Sequence, residues 1–146
     1  MITLVDVNQS WGYQLSKIAQ EMGESFAKEL TNYELTSRDF GILSTIYNNE
    51  SLTQKDIGLL LKVDRTTMVQ LIDVLESKHL VKRVSNPNDR RANFIQITEE
   101  GLSILEKNQE KLEIYEKHVV SQMSADQKKV IHDIYHYLKK EEFDNE

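Results

Sequence analysis

The sequence predicts a mainly helical protein that carries one small β-hairpin. A single proline and five glycines among 146 residues favour long helices over a loop-rich fold. Apolar residues recur every three or four positions along most of the chain, as they do on one side of an amphipathic helix. The exception is residues 81–98, where two short strand-like segments flank the turn-forming sequence Asn-Pro-Asn-Asp at residues 86–89.

The composition, with 39% hydrophobic and 29% charged residues, is typical of a soluble globular protein, and the length allows one compact core. No apolar run approaches the ~20 residues that a transmembrane helix needs. The first ten residues lack the basic start and apolar core of a secretory signal. The absence of cysteine excludes a disulfide framework and thiol catalysis, and we expect a cytoplasmic protein.

The two ends of the chain carry long apolar stripes. The first predicted helix spans residues 8–32, and its stripe consists of Trp11, Leu15, Ile18, Met22, Phe26 and Leu30. The last two helices have stripes formed by Leu102, Leu105, Leu112, Tyr115 and Val119, and then by Val130, Ile131, Ile134, Tyr135 and Leu138. These faces exceed what a small domain needs, which indicates a two-fold partner. The alternative for the first helix is packing on the core of its own domain.

The middle of the chain has the order of a helix-turn-helix motif. Helix starts are marked by side chains that can accept hydrogen bonds from backbone N–H groups, namely Thr36, Thr53, Asp64, Thr98 and Ser124. A short helix after Thr53, a tight connection and a longer helix after Asp64 make up the motif. The apolar side of the longer helix consists of Met68, Leu71, Ile72 and Leu75.

The charge is distributed unevenly along the chain. Residues 62–98 hold seven basic and four acidic side chains, a net charge of +3, which leaves −9 on the rest of a chain whose total is −6. Four of the five arginines lie in this segment. Arginine offers a planar set of donors suited to phosphates and guanine edges. A basic island in an acidic protein indicates that one face meets a polyanion.

The runs DRTTMVQLIDVLESKHLVKR and NPNDRRANFIQITEEG resemble the MarR family of winged helix-turn-helix transcription regulators. The matching motifs are Leu71-Ile72-Asp73-x-Leu75-Glu76, Leu80-Val81-x-Arg83, Asp89-Arg90-Arg91 and Ile97-Thr98-x-x-Gly101. The resemblance implies a winged helix-turn-helix with a small β-wing, formed by residues 34–98. It also implies that residues 1–33 plus 99–146 form a helical dimerisation region.

Two positions depart from the family pattern. Many members carry arginine where Gln70 stands, and glutamine pairs with adenine rather than guanine. Similar proteins often have glycine where His79 stands, at the end of the recognition helix. Glycine suits the left-handed conformation that ends a helix, so we expect this helix to end differently.

The resemblance implies a homodimer that binds double-stranded DNA through the recognition helix and the wing. The DNA-binding residues are then Thr53, Gln54, Arg65, Thr66, Thr67, Val69, Gln70, Lys82, Asp89, Arg90 and Arg91. Thr53, Gln54 and Lys82 are expected to contact phosphates, and a wing arginine to enter the minor groove with Asp89 orienting it. The dimerisation residues are then Trp11, Leu15, Ile18, Leu112, Tyr115, Val119, Ile131, Ile134 and Leu138.

The predicted function is a transcriptional repressor that binds pseudo-palindromic promoter DNA and that a small aromatic effector releases. Trp11 and Tyr33 are candidate effector-lining residues, but core or interface packing is the favoured role for both. The alternatives are an activator of the same family and a winged-helix protein-interaction module. An enzyme is not expected, because no Gly-rich phosphate loop, Ser/His/Asp order or HExxH motif is present. His132 and His136 have a spacing that can bind a metal but lack a partner cluster, so we expect no metal and no cofactor.

Overall fold

The computed structural model describes residues 2 and 4–144, with side chains up to residue 140. Residues 1, 3, 145 and 146, which the predicted dimerisation region includes, lie outside this part. The helices are α1 (Trp11–Leu30), α2 (Ser37–Asn48), α3 (Gln54–Leu61), α4 (Arg65–Ser77), α5 (Glu99–Val120) and α6 (Ala125–Asp144). The strands are β1 (Val81–Val84) and β2 (Phe94–Ile97), and short 3-10 turns span Val7–Gln9 and Thr31–Tyr33. The mainly helical fold with a small β-wing is confirmed.

The predicted helix starts are confirmed, because each relies on a local hydrogen bond. Before α3, the Thr53 hydroxyl accepts from the Asp56 N–H at 3.2 Å, and an Asp56 carboxylate oxygen accepts from the Thr53 N–H at 2.9 Å. The same reciprocal pair opens α2, between Thr36 and Asp39. Single caps open the helices α4 and α5, from Asp64 and Thr98 respectively, and Ser124 pairs with Gln127 before α6.

The recognition helix α4 ends in a left-handed residue, and the prediction that His79 would end it differently is wrong. His79 has φ 61°, its N–H donates to the Glu76 carbonyl at 2.9 Å, and the Leu80 N–H donates to the Leu75 carbonyl at 3.0 Å. This pair of hydrogen bonds is the one with which glycine-terminated helices end. Histidine is among the residues that enter this region more readily than most, so the motif tolerates it.

One core holds α1–α5 and the hairpin together. On α4, Met68, Ile72 and Leu75 are buried and Leu71 is partly buried, as predicted. The remaining buried apolar residues are Phe26, Leu30, Leu35, Phe40, Ile42, Leu43, Ile46, Ile57, Leu80, Val81, Ile95 and Leu105. The recognition helix is therefore attached along its apolar side, and its polar side remains outward.

The hairpin is fixed to the helix-turn-helix by backbone hydrogen bonds. β1 and β2 are antiparallel, with Val81 opposite Ile97 and Val84 opposite Phe94. The Ile95 N–H also donates to the Leu52 carbonyl at 2.8 Å, just before α3 begins. The strand β2 thus joins both β1 and the start of the helix-turn-helix, so the wing has a defined position beside α3 and α4.

The terminal helices leave much apolar surface uncovered. The first half of α1 exposes Trp11, Leu15 and Ile18, and Trp11 is 81% exposed. On α6 the exposed apolar residues are Val130, Ile131, Ile134, Tyr135, Tyr137 and Leu138. None of the helices that the structure describes is both long and apolar enough to cross a membrane.

Candidate nucleic-acid interface

A cleft of about 780 Å³ lies where the amino ends of α3 and α4 meet the wing. Its lining residues are Thr53, Gln54, Lys55, Gly58, Leu59, Val63, Asp64, Arg65, Met68, Arg83, Asp89, Arg91, Ala92 and Asn93. The structure therefore brings together five of the predicted DNA-binding residues, from three separate elements: Thr53, Gln54, Arg65, Asp89 and Arg91. The other six predicted residues, Thr66, Thr67, Val69, Gln70, Lys82 and Arg90, do not line this cleft.

The first turns of α4 present an outward polar surface. Arg65, Thr66 and Gln70 are exposed, whereas Thr67 and Val69 are partly buried. The Thr67 hydroxyl donates to Asp64 Oδ1 at 2.6 Å, and the Thr67 N–H donates to Oδ2 at 3.0 Å. These two hydrogen bonds, the hydroxyl one first, lower the pKa of the Asp64 carboxyl. The Thr67 hydroxyl hydrogen is thus used within the helix cap, which leaves Arg65, Thr66 and Gln70 as the freer side chains.

The wing tip is ordered by short-range hydrogen bonds. Asp89 Oδ1 accepts from the backbone N–H of Arg91 at 2.9 Å, and Asn86 Oδ1 accepts from the Asn88 N–H at 2.9 Å. Asp89 therefore acts on the backbone beside Arg91 and not on its guanidinium. Arg90 and Arg91 are both exposed, but only Arg91 lines the cleft.

Arg83 connects β1 to both helices of the helix-turn-helix. Its Nη2 lies 2.6 Å from Asp73 Oδ1, and its Nη1 lies 2.7 Å from Glu76 Oε1. Its Nε and Nη2 also donate to Gln54 Oε1, at 3.0 and 2.7 Å. Burial opposes the charged form, but the hydrogen bonds to Asp73 and Glu76 raise the pKa of the guanidinium. The charge count placed Arg83 in the basic island without a role of its own, and the structure shows that two carboxylates compensate its charge.

The predicted phosphate contacts fall into different environments. Thr53 both accepts from and donates to Asp56, so its hydroxyl is used in the capping box. Gln54 contacts Arg83, and Lys82 is exposed on β1, outside the cleft. Lys55 was not predicted, yet it is exposed and lines the cleft. The sequence feature that could have identified Lys55 is its position two residues after the predicted helix cap, Thr53.

Three uncompensated cations surround the cleft. Within the part of the chain that the structure describes, Lys55, Arg65 and Arg91 form no ion pair. The two acids of the lining, Asp64 and Asp89, each accept from backbone N–H groups. The cleft can therefore receive an anionic group at three points on different elements.

The predicted dimerisation residues divide into two groups. Trp11, Leu15, Ile18, Ile131, Ile134 and Leu138 are exposed in the single chain. Leu112 and Tyr115 instead pack against the core of the same chain, and Val119 is partly buried. The Tyr115 hydroxyl donates to Glu29 Oε1 at 2.9 Å, which ties α5 to α1.

The candidate effector and metal residues are not brought together. Trp11 and Tyr33 lie at opposite ends of α1, which is about 30 Å long for 20 residues. A smaller cleft of about 300 Å³ beside α1 and α5 is lined by Ser25, Lys28, Glu29, Asn32 and Tyr115, and includes neither residue. The rings of His132 and His136 lie 6.4 Å apart, and no cluster of three metal-binding side chains occurs among the described residues.

Residues 35–92 match the model of the MarR family. A regulatory protein assigned to the hcr operon of Thauera aromatica is 32% identical over 95 residues, which cover 64% of this chain and 57% of that protein. The transcriptional regulator MhqR of Bacillus subtilis is 29% identical over 91 residues, which cover 62% of this chain and 63% of that protein. The matches thus span less than two thirds of these relatives, and both are named as regulators rather than enzymes.

Solved structures share the fold. The structure of S. aureus MepR in complex with DNA matches with a TM-score of 0.80 and 24% identity, over 90% of this chain and 98% of that one. CouR of Rhodococcus jostii bound to p-coumaroyl-CoA matches with a TM-score of 0.79 and 22% identity, over 96% of each chain. Because the matched segment, residues 35–92, contains the helix-turn-helix and most of the wing loop, this part of the chain is a MarR-family domain.

Proposed function

We propose that this protein is a transcriptional regulator that binds double-stranded DNA as a homodimer. The observation that carries the proposal is the cleft between α3, α4 and the wing, around which Lys55, Arg65 and Arg91 form no ion pair with any residue that the structure describes. The phosphate backbone supplies most of the affinity in such complexes, and it requires free cations on one face. The domain division follows from this role: residues 34–98 bind DNA, and the flanking helices join two copies.

In this proposal α4 enters the major groove with its amino end first. Arg65, Thr66 and Gln70 lie on its exposed polar side, and Gln70 can pair with an adenine through two hydrogen bonds. The wing places Arg91 beside the same duplex, where a narrow A·T-rich minor groove attracts a guanidinium. Base reading thus belongs to α4, and the wing contributes shape-dependent affinity.

The uncovered apolar faces of α1 and α6 support the homodimer. Trp11, Leu15 and Ile18 are exposed on α1, and the apolar residues of α6 are about half exposed. A second copy would cover both faces at once, since an isologous interface uses the same surface on each subunit. Light scattering at micromolar concentration should give twice the 17.0 kDa chain mass, whereas a mass of one chain would refute the homodimer.

Within this function, we propose that the protein represses transcription in the cytoplasm and that a small aromatic effector relieves the repression. The support is indirect: the relatives are named as regulators, and CouR is described with p-coumaroyl-CoA. Adding p-coumaroyl-CoA as a probe should raise the thermal midpoint of the protein and weaken its binding to DNA. If neither quantity changes with this or other small aromatic acids, the effector part of the proposal fails.

A gel shift with fragmented genomic DNA tests the function itself. The protein should retard a subset of fragments at low micromolar concentration, and added salt should abolish the shift because bound counterions are released on binding. Arg65→Ala should weaken the shift, whereas Arg38→Ala should not, because Arg38 is exposed on α2 and lies outside the cleft. A protein-interaction module would give no shift under the same conditions.

A further inference from the structure

The side-chain amide of Gln54, the first residue of α3, has an orientation that Arg83 determines. Arg83 Nε and Nη2 lie 3.0 and 2.7 Å from the same amide atom. A guanidinium can only donate hydrogen bonds, so this atom must be the carbonyl oxygen Oε1. The Nε2 amine therefore points away from Arg83, and it donates to no other group within the described part of the chain.

Hydrogen bonds to α3 and α4 hold the Arg83 side chain in place. Asp73 and Glu76 accept from two of its nitrogens, at 2.6 and 2.7 Å, and its backbone N–H donates to Glu76 Oε2 at 3.0 Å. Its side chain is only 23% exposed. Four hydrogen bonds of its guanidinium and one of its backbone N–H are directed to α3 and α4, and two carboxylates compensate its charge, so Arg83 lines the cleft without offering a free charge to it.

We propose that Arg83 fixes Gln54 as a hydrogen-bond donor whose Nε2 amine binds a phosphate oxygen of the DNA backbone. The inference rests on the proposed function and assigns roles within the same cleft. Gln54 and the exposed Lys55 both line the cleft, so the proposal places one backbone phosphate within reach of both side chains. Arg83 is a positioning residue, because it prevents the amide from turning its acceptor oxygen toward the anion. A side chain that is already ordered loses less entropy on binding.

A phosphate contact by the Gln54 amide differs in two measurable ways from a base contact and from a contact by a charged side chain. A phosphate contact carries no sequence information, so Gln54 should contribute equally on every duplex. The amine is neutral and displaces no counterion, so losing it should leave the salt dependence unchanged. Lys55→Ala, by contrast, should flatten the salt dependence.

The decisive variant is Gln54→Glu, measured by fluorescence anisotropy on a pool of random-sequence duplexes. Glutamate keeps the oxygen that accepts from Arg83 but replaces the donor amine with an anionic oxygen. We expect affinity to fall about tenfold or more, as for the loss of a hydrogen bond to a charged group, with thermal stability retained. Gln54→Met, which adds no charge, should lower affinity by a smaller factor and leave the salt slope unchanged.

The matched control is Gln20→Glu, which makes the same change of charge on α1. Gln20 Oε1 accepts from Lys17 Nζ at 3.2 Å, so this variant also keeps its cationic partner but lies outside the cleft. It should bind like the wild type. If Gln54→Glu also binds within about twofold of the wild type, Gln54 is only a structural partner of Arg83 and the inference is overturned.

Arg83→Lys tests the positioning role, because a lysine ammonium cannot reproduce the two hydrogen bonds that Arg83 Nε and Nη2 donate to Gln54 Oε1. Provided that the variant keeps its circular dichroism spectrum, it should bind more weakly, and adding Gln54→Met should cost little further affinity. Full additivity of the two changes would show that Arg83 does not act through Gln54. A wild-type protein that binds no duplex would refute the proposed function, whereas weak effects of these variants alone would refute only this inference.

Discussion

Replacing Arg91 with alanine should weaken DNA binding and flatten its dependence on salt. Arg91 is exposed at the wing tip, lines the cleft and has no ion pair among the described residues. A cation that neutralises one phosphate contributes about −0.9 to the slope of log affinity against log salt, so two copies in a dimer contribute about −1.8. Between about 50 and 200 mM salt, the wild type should therefore lose about twelvefold more affinity than the variant.

The assay is fluorescence anisotropy with an A·T-rich and a G·C-rich duplex of equal length, each titrated at several salt concentrations. The loss of affinity should be larger on the A·T-rich duplex, whose narrow minor groove attracts arginine. Arg38→Ala removes the one arginine outside residues 62–98 and should leave both slope and affinity unchanged. If Arg91→Ala keeps the wild-type slope and affinity with an unchanged thermal midpoint, the wing is not a DNA contact in this protein.

Three further predictions concern other parts of the chain. Gln70→Ala should reduce discrimination by about 1–3 kcal/mol at one base position per half-site and leave the salt slope unchanged, as measured on a panel of single-base site variants. His79→Gly should raise the free energy of unfolding by up to about 1 kcal/mol in urea titrations, because glycine removes the strain of a left-handed residue but loses more backbone entropy. Lys111 and Tyr115 donate to Glu29 and lower the pKa of its carboxyl below the ordinary 4.5. The lowered pKa means that the Glu29 carboxylate stabilises the folded state above pH 4.5, and that this contribution is lost as the pH falls through the folded-state pKa. Between these two pH values the thermal midpoint of Glu29→Gln should therefore fall less than that of the wild type.

Each of these three predictions can be contradicted by a specific result. Equal weakening of every site variant by Gln70→Ala would assign Gln70 to positioning rather than reading. A His79→Gly protein that is less stable than the wild type would show that the imidazole makes a contact that outweighs the backbone strain. If Glu29→Gln and the wild type respond identically to acid, the hydrogen bonds of Glu29 with Lys111 and Tyr115 do not stabilise the folded state.

Features that depend on neighbouring residues were predictable from the sequence. Thr53 and Asp56 are three residues apart, so their reciprocal capping needs nothing beyond the first turn of α3. The burial of Met68 and Ile72 likewise follows from their spacing on one helix. The end of α4 was mispredicted, because the sequence rule considered the preference of glycine and neglected how readily His79 accepts the same conformation.

Features that depend on long-range contacts were not predictable. Arg83 meets Asp73, Glu76 and Gln54 at sequence separations of 10, 7 and 29 residues, so a charge count cannot show that it is compensated. The presence of Lys55 in the cleft likewise depends on where the wing lies against α3. The sequence located the basic segment, but only the packing of α3, α4 and β1 distinguishes the compensated Arg83 from Arg65 and Arg91, which form no ion pair among the described residues.

The most direct test of DNA binding by a two-fold dimer is selection of duplexes from a random-sequence pool by the purified wild-type protein. The selected sequences should contain two inverted half-sites whose centres lie about 10 base pairs, or one helical turn, apart, because a dimer presents two α4 helices related by its axis. Enrichment of a single half-site would contradict the dimer, and no enrichment at low micromolar protein would contradict sequence-specific DNA binding.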